Sequence, residues 1–333
     1  MNFPERFNKE KFFEALRNPS MFYEEFKRWM DWDTIVHKMI GRRYYKLRHG
    51  GGIDVMERDW DNLIILDACR YDVFAEVNDI PGELMSVLSQ GSHSEEFIEN
   101  TFSGREFQNT VYVTANVYGA QVEEGGFHDI IVSFGDDAEN PRHKDNRSPE
   151  FVRDLAVKAH EQYPNKRLIV HFMQPHSPYF SDTAETIREL FRDKDGIQFR
   201  TWDGRPEDEG DVDLIKDLNE AAVREDVSPQ LLTNLYKENL EIVLDITREL
   251  LNHLDGKSVV TADHGELLGE REVFFRPRRY NHPAYVYMEE LRRVPWLELD
   301  SDERRRIVAD PPKEKEGLNE ETIEQQLEAL GYV

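Results

Sequence analysis

Asp263 and His264 stand side by side in residues 261–270 (TADHGELLGE), at the end of an apolar, β-rich approach, with Gly265 directly after them. Adjacent Asp and His at a strand end can give one divalent ion a carboxylate oxygen and an imidazole nitrogen. Gly265 would let the backbone turn sharply there. The plainer alternative is an Asp helix cap beside a surface histidine. A second signal lies in residues 171–180 (HFMQPHSPYF), where His171 closes an apolar run and His176 follows in a loop held by Pro175 and Pro178. Either histidine can bind a metal or hydrogen-bond a leaving-group oxygen. His171 equally suits a satisfied core histidine, which makes His176 the better candidate. In residues 91–100 (GSHSEEFIEN), Ser92 and Glu95 have capping-box spacing, with Ser92 as the N-cap. Ser94 then falls in the first helical turn, where free N–H groups and the helix dipole favour an anion. Beside a metal that lowers its pKa, such a serine can attack a phosphoryl or sulfuryl group. His282, between Asn281 and Pro283, is a further candidate ligand or acid.

These pieces need a common scaffold, and residues 61–72 (DNLIILDACRYD) suggest it. Four apolar residues, 63–66, run straight into Asp67. Such a run suits the central strand of a mostly parallel sheet. Ligands in such sheets sit beyond the carboxyl ends of the strands, where Asp67 falls. Asp67 is therefore either a ligand or a cap for the next helix. Arg70 suits either an anion-steadying role or a structural ion pair.

Further strands are expected at 110–114, 129–134, 167–172 and 258–262, with helices between them at 149–162 and 231–254. Alternating strands and helices point to a parallel sheet with helices on both faces. Residues 1–45 read as helical and aromatic, with Phe22, Phe26 and Met30 on one face beside Trp29. They suit an accessory helical layer or a docking surface for a partner or membrane protein. The polar stretch 181–229, with Trp202, is too long for an ordinary connection and reads as an insertion able to cover a site. The expected organisation is a helical N-terminal extension (1–52), a catalytic domain (53–300) and a charged tail (301–333), with a linker at PPKEKE and a short helix at 321–330.

The formal net charge of -25, from 67 acidic and 42 basic residues, argues against a nucleic-acid or anionic-membrane partner. Arginines number 28 against 14 lysines, which with the acidity suits a protein kept soluble in high salt. Cys69 is the only cysteine, so no intrachain disulfide forms. No apolar stretch is long enough for a transmembrane span, and the N-terminus lacks the form of a signal peptide. The cytoplasm is the simplest expectation.

Taken together, these motifs resemble the alkaline phosphatase superfamily, most closely its sulfatase-like branch, over residues 62–297. Asp67 stands where sulfatases carry the first metal-binding Asp, followed by Arg70 and Asp72 in a D-x-x-R-x-D pattern. HFMQPHSPY is similar to the family's H-x-x-x-P-H-x-P-Y segment. TADHGELLGE resembles its second metal motif, and HPAYVYMEELRRVPWL its H…E-x-x-R-V-P segment. The terminal LEALGYV resembles a common sulfatase ending. Ala68 replaces the second of two adjacent Asp residues common there, and Cys69 lacks the C-x-P-x-R context of formylglycine sulfatases. The nucleophile slot falls instead at GSHSEEF, on Ser94, with Ser92 as the alternative.

The resemblance implies a three-layer α/β/α sandwich around a mostly parallel sheet. It also implies a metal-dependent hydrolase or transferase cleaving a sulfate or phosphate ester of a small molecule or glycan. Asp67, Asp263, His264 and Ser94 are the expected ligands of one divalent ion. His264 stands where calcium sulfatases often carry Asn, which favours zinc or manganese over calcium and leans toward phosphoesterases and phosphoethanolamine-type transferases. His176 and His282 are expected to serve the leaving group or a second metal, whose ligand set no obvious pair completes. Arg70 is carried as an anion-binding candidate. The rival expectation is a catalytically inactive relative that binds partners in surface-glycan assembly.

Overall fold

β1 (Asn62–Asp67) is buried at every position, and its side chains divide between two cores. Ile64 and Leu66 enter one apolar cluster, Leu63 and Ile65 the other. This is the period-two alternation of a strand covered on both faces. The computed structural model describes residues 41–122, 125–134, 148–195, 198–199, 214–215, 217–224, 226–271 and 278–313. The expected aromatic helices before residue 41, Trp202 and the C-terminal helix at 321–330 lie outside them.

The chain forms two compact units, Met1–Gly50 with Tyr285–Met288, and Gly51–Ala284 with Glu289–Val333. The first contains α1 (Arg42–His49). There the Arg42 guanidinium lies 5.1 Å from the Tyr285 ring centre, and its Nε donates to the Tyr287 hydroxyl at 3.2 Å.

In the second unit β1 is followed by α2 (Tyr71–Val77), β2 (Glu83–Leu88), α3 (Ser94–Phe102), β3 (Phe107–Thr114), α4 (Val117–Ala120) and β4 (Phe127–Val132). Next come α5 (Pro149–Gln162), β5 (Arg167–Pro175), α6 (Asp182–Asp195), the short pair β6 (Gln198–Phe199) and β7 (Leu214–Ile215), α7 (Leu218–Val223) and α8 (Pro229–Leu251). The last elements among the described residues are β8 (Ser258–Thr261), β9 (Leu267–Glu270), β10 (Arg279–Asn281), α9 (Glu289–Arg292) and β11 (Arg293–Leu299). Helices α5 and α8 open alike: Ser148 and Ser228 accept hydrogen bonds from backbone N–H groups of the first turn, with Pro next at a position that needs no N–H.

Seven strands form one sheet in the order β2-β11-β8-β1-β5-β3-β4. Only β11 opposes its neighbours, pairing antiparallel with β2 and β8. Helices α5 and α8 supply one apolar layer and α3, through Phe97 and Phe102, the other. The three-layer, mostly parallel sandwich expected from the sequence is therefore the observed fold. Strands β2 and β11 were not among the expected ones. β2 is half-exposed, and β11 interrupts its short apolar stretch with Pro295, a residue that argues against a central strand, so neither announces itself in the sequence. β5 also continues past Phe172 to Pro175, so His171 lies within the strand rather than closing it.

Because β5 and β8 both pair with β1, three neighbouring strands deliver their carboxyl ends to one place. Past the opposite ends of the strands, residues 301–313 are bound to the sheet. Val308, Asp310 and Lys313 donate backbone N–H groups to the carbonyls of Asn165, Gln108 and His128. Arg304 pairs with Asp59 and Asp61. This part of the charged tail is packed structure. Among the described residues no helix is long and apolar enough to cross a membrane.

Candidate active site

Asp67 ends β1, Asp263 and His264 follow β8, and Ser94 is the first residue of α3. All four are completely buried. Ser94 Oγ donates to Asp263 Oδ2 at 2.7 Å, and lies 3.4 Å from Asp67 Oδ2 and 3.2 Å from His264 Nε2. His264 Nε2 is 3.5 Å from both Asp67 Oδ1 and Asp263 Oδ2. The structure thus brings the four expected ligand residues into one cluster.

Local backbone choices produce this convergence. Ala68 has φ +60, a left-handed conformation that is costly for a residue with a Cβ. It turns the Ala68 N–H onto Asp263 Oδ1 at 3.0 Å. Tyr236 of α8 holds the bend, donating to the Ala68 carbonyl at 2.6 Å and accepting from the Arg70 N–H at 2.9 Å. Asn116 donates to Asp67 Oδ2 at 2.7 Å while its own Oδ1 accepts from the Tyr118 N–H, which fixes the amide orientation. Gly265 does not have positive φ; it is required because a Cβ there would collide with the Glu290 carbonyl. The expected capping box is not formed. His93 is the N-cap, and Ser92 bonds through N–H and Oγ to Glu96 Oε2, not to Glu95. One residue's difference in helix start places Ser94 at the cluster and turns Ser92 away from it.

The electrostatics describe a place for a cation. Burial, and then the neighbouring Asp263 carboxylate, push Asp67 well above the usual carboxylate range. Burial alone would raise Asp263 as well, but His264, His171 and Ser94 outweigh it and hold Asp263 low. Burial holds His264 below its ordinary value, so the ring is neutral near pH 7. Its Nδ1 lies 2.8 Å from the Gly265 carbonyl, an acceptor, which leaves the Nε2 lone pair facing the carboxylates. Asp67 Oδ1 is buried without a hydrogen bond. Two carboxylates, an imidazole lone pair and a hydroxyl form a donor set that fits zinc or manganese.

A second group stands beside the first. His176, Glu266 and His282 place ligand atoms within 4.8 Å of one another. The His264 and His282 rings are 4.6 Å apart. Burial, then His282, lowers His176 to about 4. Burial raises Glu266 to about 7, and its Oε1 has no hydrogen bond. His176 and His282 were expected near the site. Glu266 was not picked out, although it follows Asp263 by three residues in the same motif. Asn116 and Tyr236 had no sequence signal, since each acts through a contact distant in the chain.

Arg70 lies elsewhere in role. Its Nε and Nη2 bind Asp72 at 2.9 and 2.6 Å, and Nη1 binds Glu270 and the Glu266 carbonyl. The guanidinium clamps the β1 and β9 loops together rather than facing Ser94. Cys69 is fully buried, and burial raises its thiol, which stays protonated.

No family model matches the sequence, and no curated protein matches it. Among solved structures, the chain is similar to the soluble domain of lipooligosaccharide phosphoethanolamine transferase A from Neisseria meningitidis (12% identity, 71% of this chain, 75% of that one, TM-score 0.42). It is also similar to the C-terminal periplasmic domain of EcEptC from Escherichia coli, solved with Zn (12%, 75% and 76%, 0.43). A third is a protein of the alkaline phosphatase superfamily from Vibrio parahaemolyticus (14%, 74% and 60%, 0.38). At these values the likeness is one of chain path.

Proposed function

We propose that the protein is a metal-dependent hydrolase or transferase of phosphate or sulfate esters, with Ser94 as nucleophile. The observation that carries this reading is the convergence of Ser94 Oγ on Asp67, Asp263 and His264 at 2.7–3.4 Å. A buried serine hydroxyl among two carboxylates and a neutral imidazole is costly as a mere packing arrangement. It is economical as a cradle for a divalent cation and a nucleophile.

Asp67, Asp263, His264 and Ser94 would hold that ion, which when bound neutralises charge on the transferred group and lowers the pKa of the serine hydroxyl. Asp263 Oδ2 already holds the Ser94 proton in a 2.7 Å hydrogen bond. Ser94 heads α3, whose N-cap residue His93 makes no side-chain cap, and the dipole at this helix start favours an anionic group beside Ser94. In-line attack by Ser94 Oγ forms the ester on serine and releases the alcohol, and water or an acceptor alcohol resolves it. His176, Glu266 and His282 form a second donor set of two imidazoles and a carboxylate, the composition of many catalytic zinc sites. Exposure rises from none at Ser94 to 10% at His282, so His282 marks the less buried side of the site. His176, held near 4, is neutral at pH 7 and serves there as a nitrogen donor rather than an acid.

Turnover of p-nitrophenyl phosphate and p-nitrophenyl sulfate, measured side by side with zinc or manganese, tests the reading. Turnover of either, dependent on the metal and on Ser94, supports it; the faster ester gives the substrate class. A protein that retains no metal and turns over neither ester overturns it.

A further inference from the structure

His171 is the histidine at this site whose ring is turned the other way. His264 and His176 point Nδ1 at backbone carbonyls, of Gly265 at 2.8 Å and Ser177 at 2.5 Å. A carbonyl only accepts, so both rings carry their proton on Nδ1 and present Nε2 as a lone pair. His171 Nδ1 instead lies 2.8 Å from the Tyr112 hydroxyl, a group that can donate. Its Nε2 lies 3.6 Å from Asp263 Oδ2, makes no hydrogen bond and is completely buried. A lone pair aimed at a buried carboxylate repels it, a cost His264 cannot escape because the Gly265 carbonyl fixes its Nδ1–H, whereas the Tyr112 hydroxyl leaves His171 free to present an N–H that attracts it.

We propose that Tyr112 donates its proton to His171 Nδ1, so that His171 carries a proton on Nε2 and uses it to brace Asp263 Oδ2 for the metal. His171 is then a positioning residue and not a ligand, although its Nε2 stands within 4.8 Å of ligand atoms of Asp67 and Asp263. The brace has a clear purpose. Asp263 Oδ1 is already held by the N–H groups of Ala68 and His264, at 3.0 and 2.8 Å. Among the described residues Oδ2 otherwise accepts a hydrogen bond only from Ser94, the group that must be free to react. Tyr112 keeps its proton because burial raises its pKa far above neutrality. This inference rests on the metal reading of the preceding section, and it adds a second layer running from Asp263 through His171 to Tyr112.

The tautomer is read directly from the imidazole nitrogen shifts of 15N-histidine-labelled, metal-free protein, with His171 assigned from the His171→Gln spectrum. The expected result is Nε2–H for His171 and Nδ1–H for His264 and His176. The Tyr112→Phe variant should shift His171 away from Nε2–H. Zinc affinity by chelator competition supplies the second readout. A Gln amide can still turn an N–H toward Asp263, so His171→Gln should stay within about threefold of wild type. His171→Leu should bind about 10–100-fold more weakly, the usual loss on removing an outer-layer partner. His171 found protonated on Nδ1 in a wild type that binds zinc overturns this inference alone, as does Gln binding as weakly as Leu. A wild-type protein that takes up no zinc overturns the metal reading beneath it.

Discussion

The backbone N–H of Ala68 donates to Asp263 Oδ1 across 3.0 Å, joining the ends of two strands whose residues are 195 apart in sequence. The left-handed turn at Ala68 exists to make that bond, and Tyr236 holds it from α8. Tyr236→Phe would lose the bond to the Ala68 carbonyl and leave the Arg70 N–H buried without its acceptor. The expected loss is about 2–3 kcal/mol in urea unfolding. Ala68→Gly, which accepts the turn without strain, should stay within about 1 kcal/mol of wild type, and Ala68→Val should cost about 2 kcal/mol or more. Equal stability of the Val and Gly variants would mean that the turn is not under strain.

The two serines of the loop before α3 should behave differently. Ser94→Ala should reduce ester turnover by about 10³-fold or more, as loss of a nucleophile does. Ser92→Ala should keep activity within about tenfold, because Ser92 Oγ contacts Glu96 and not the cluster. Reversal of that order would move the nucleophile to Ser92.

Zinc uptake should release protons. Asp67 is pushed up by burial and by Asp263, and it must become a carboxylate to bind the ion. Calorimetric titrations in buffers of different ionisation enthalpy should show net release to the buffer. Asp67→Asn should lower both the affinity and the release. Proton uptake on binding would contradict the assignment of Asp67.

Glu266 predicts a pH dependence of stability in the metal-free protein. Burial raises its pKa from 4.5 to about 7, so the folded chain keeps a proton that the unfolded chain gives up earlier. Its contribution is fully present below about 4.5 and is lost as pH rises through about 7. Glu266→Gln removes that loss. At pH 8 the variant should exceed wild type by up to about 3 kcal/mol, and the difference should vanish near pH 4.5. His176 acts in the opposite sense, its stability contribution falling as pH drops from 6.5 to about 4; the Glu266 charge that raises it is absent from the variant and, below about 7, largely absent from wild type too. A difference that does not change with pH would exclude a buried, protonated Glu266.

Metal removal should destabilise the protein by mass action. Zinc at about 100 times its Kd should add about 2.7 kcal/mol to unfolding, seen as a rise in Tm that chelator reverses. Metal analysis should find two ions per chain in wild type and one in His176→Ala.

Much of this site is legible in residue order because strands end where apolar runs end. The run before Asp67 and the β-rich approach to Asp263 each announce a strand, and a parallel sheet places such ends together. The types of Asp67, Asp263, His264, His176 and His282 likewise limit the chemistry before any coordinates are known. What residue order leaves open is settled by contacts between distant segments. Ser94 rather than Ser92 faces the cluster because α3 begins one residue beyond the N-cap His93, a matter of backbone dihedrals. Arg70 is a clamp because Glu270 and Asp72 reach it first. Glu266 joins His176 and His282 only once β9 and β10 fold back as a pair. His171 acquires its orientation from Tyr112 on the adjacent strand β3. Side-chain chemistry belongs to the sequence, whereas partner, protonation and direction depend on which strands become neighbours.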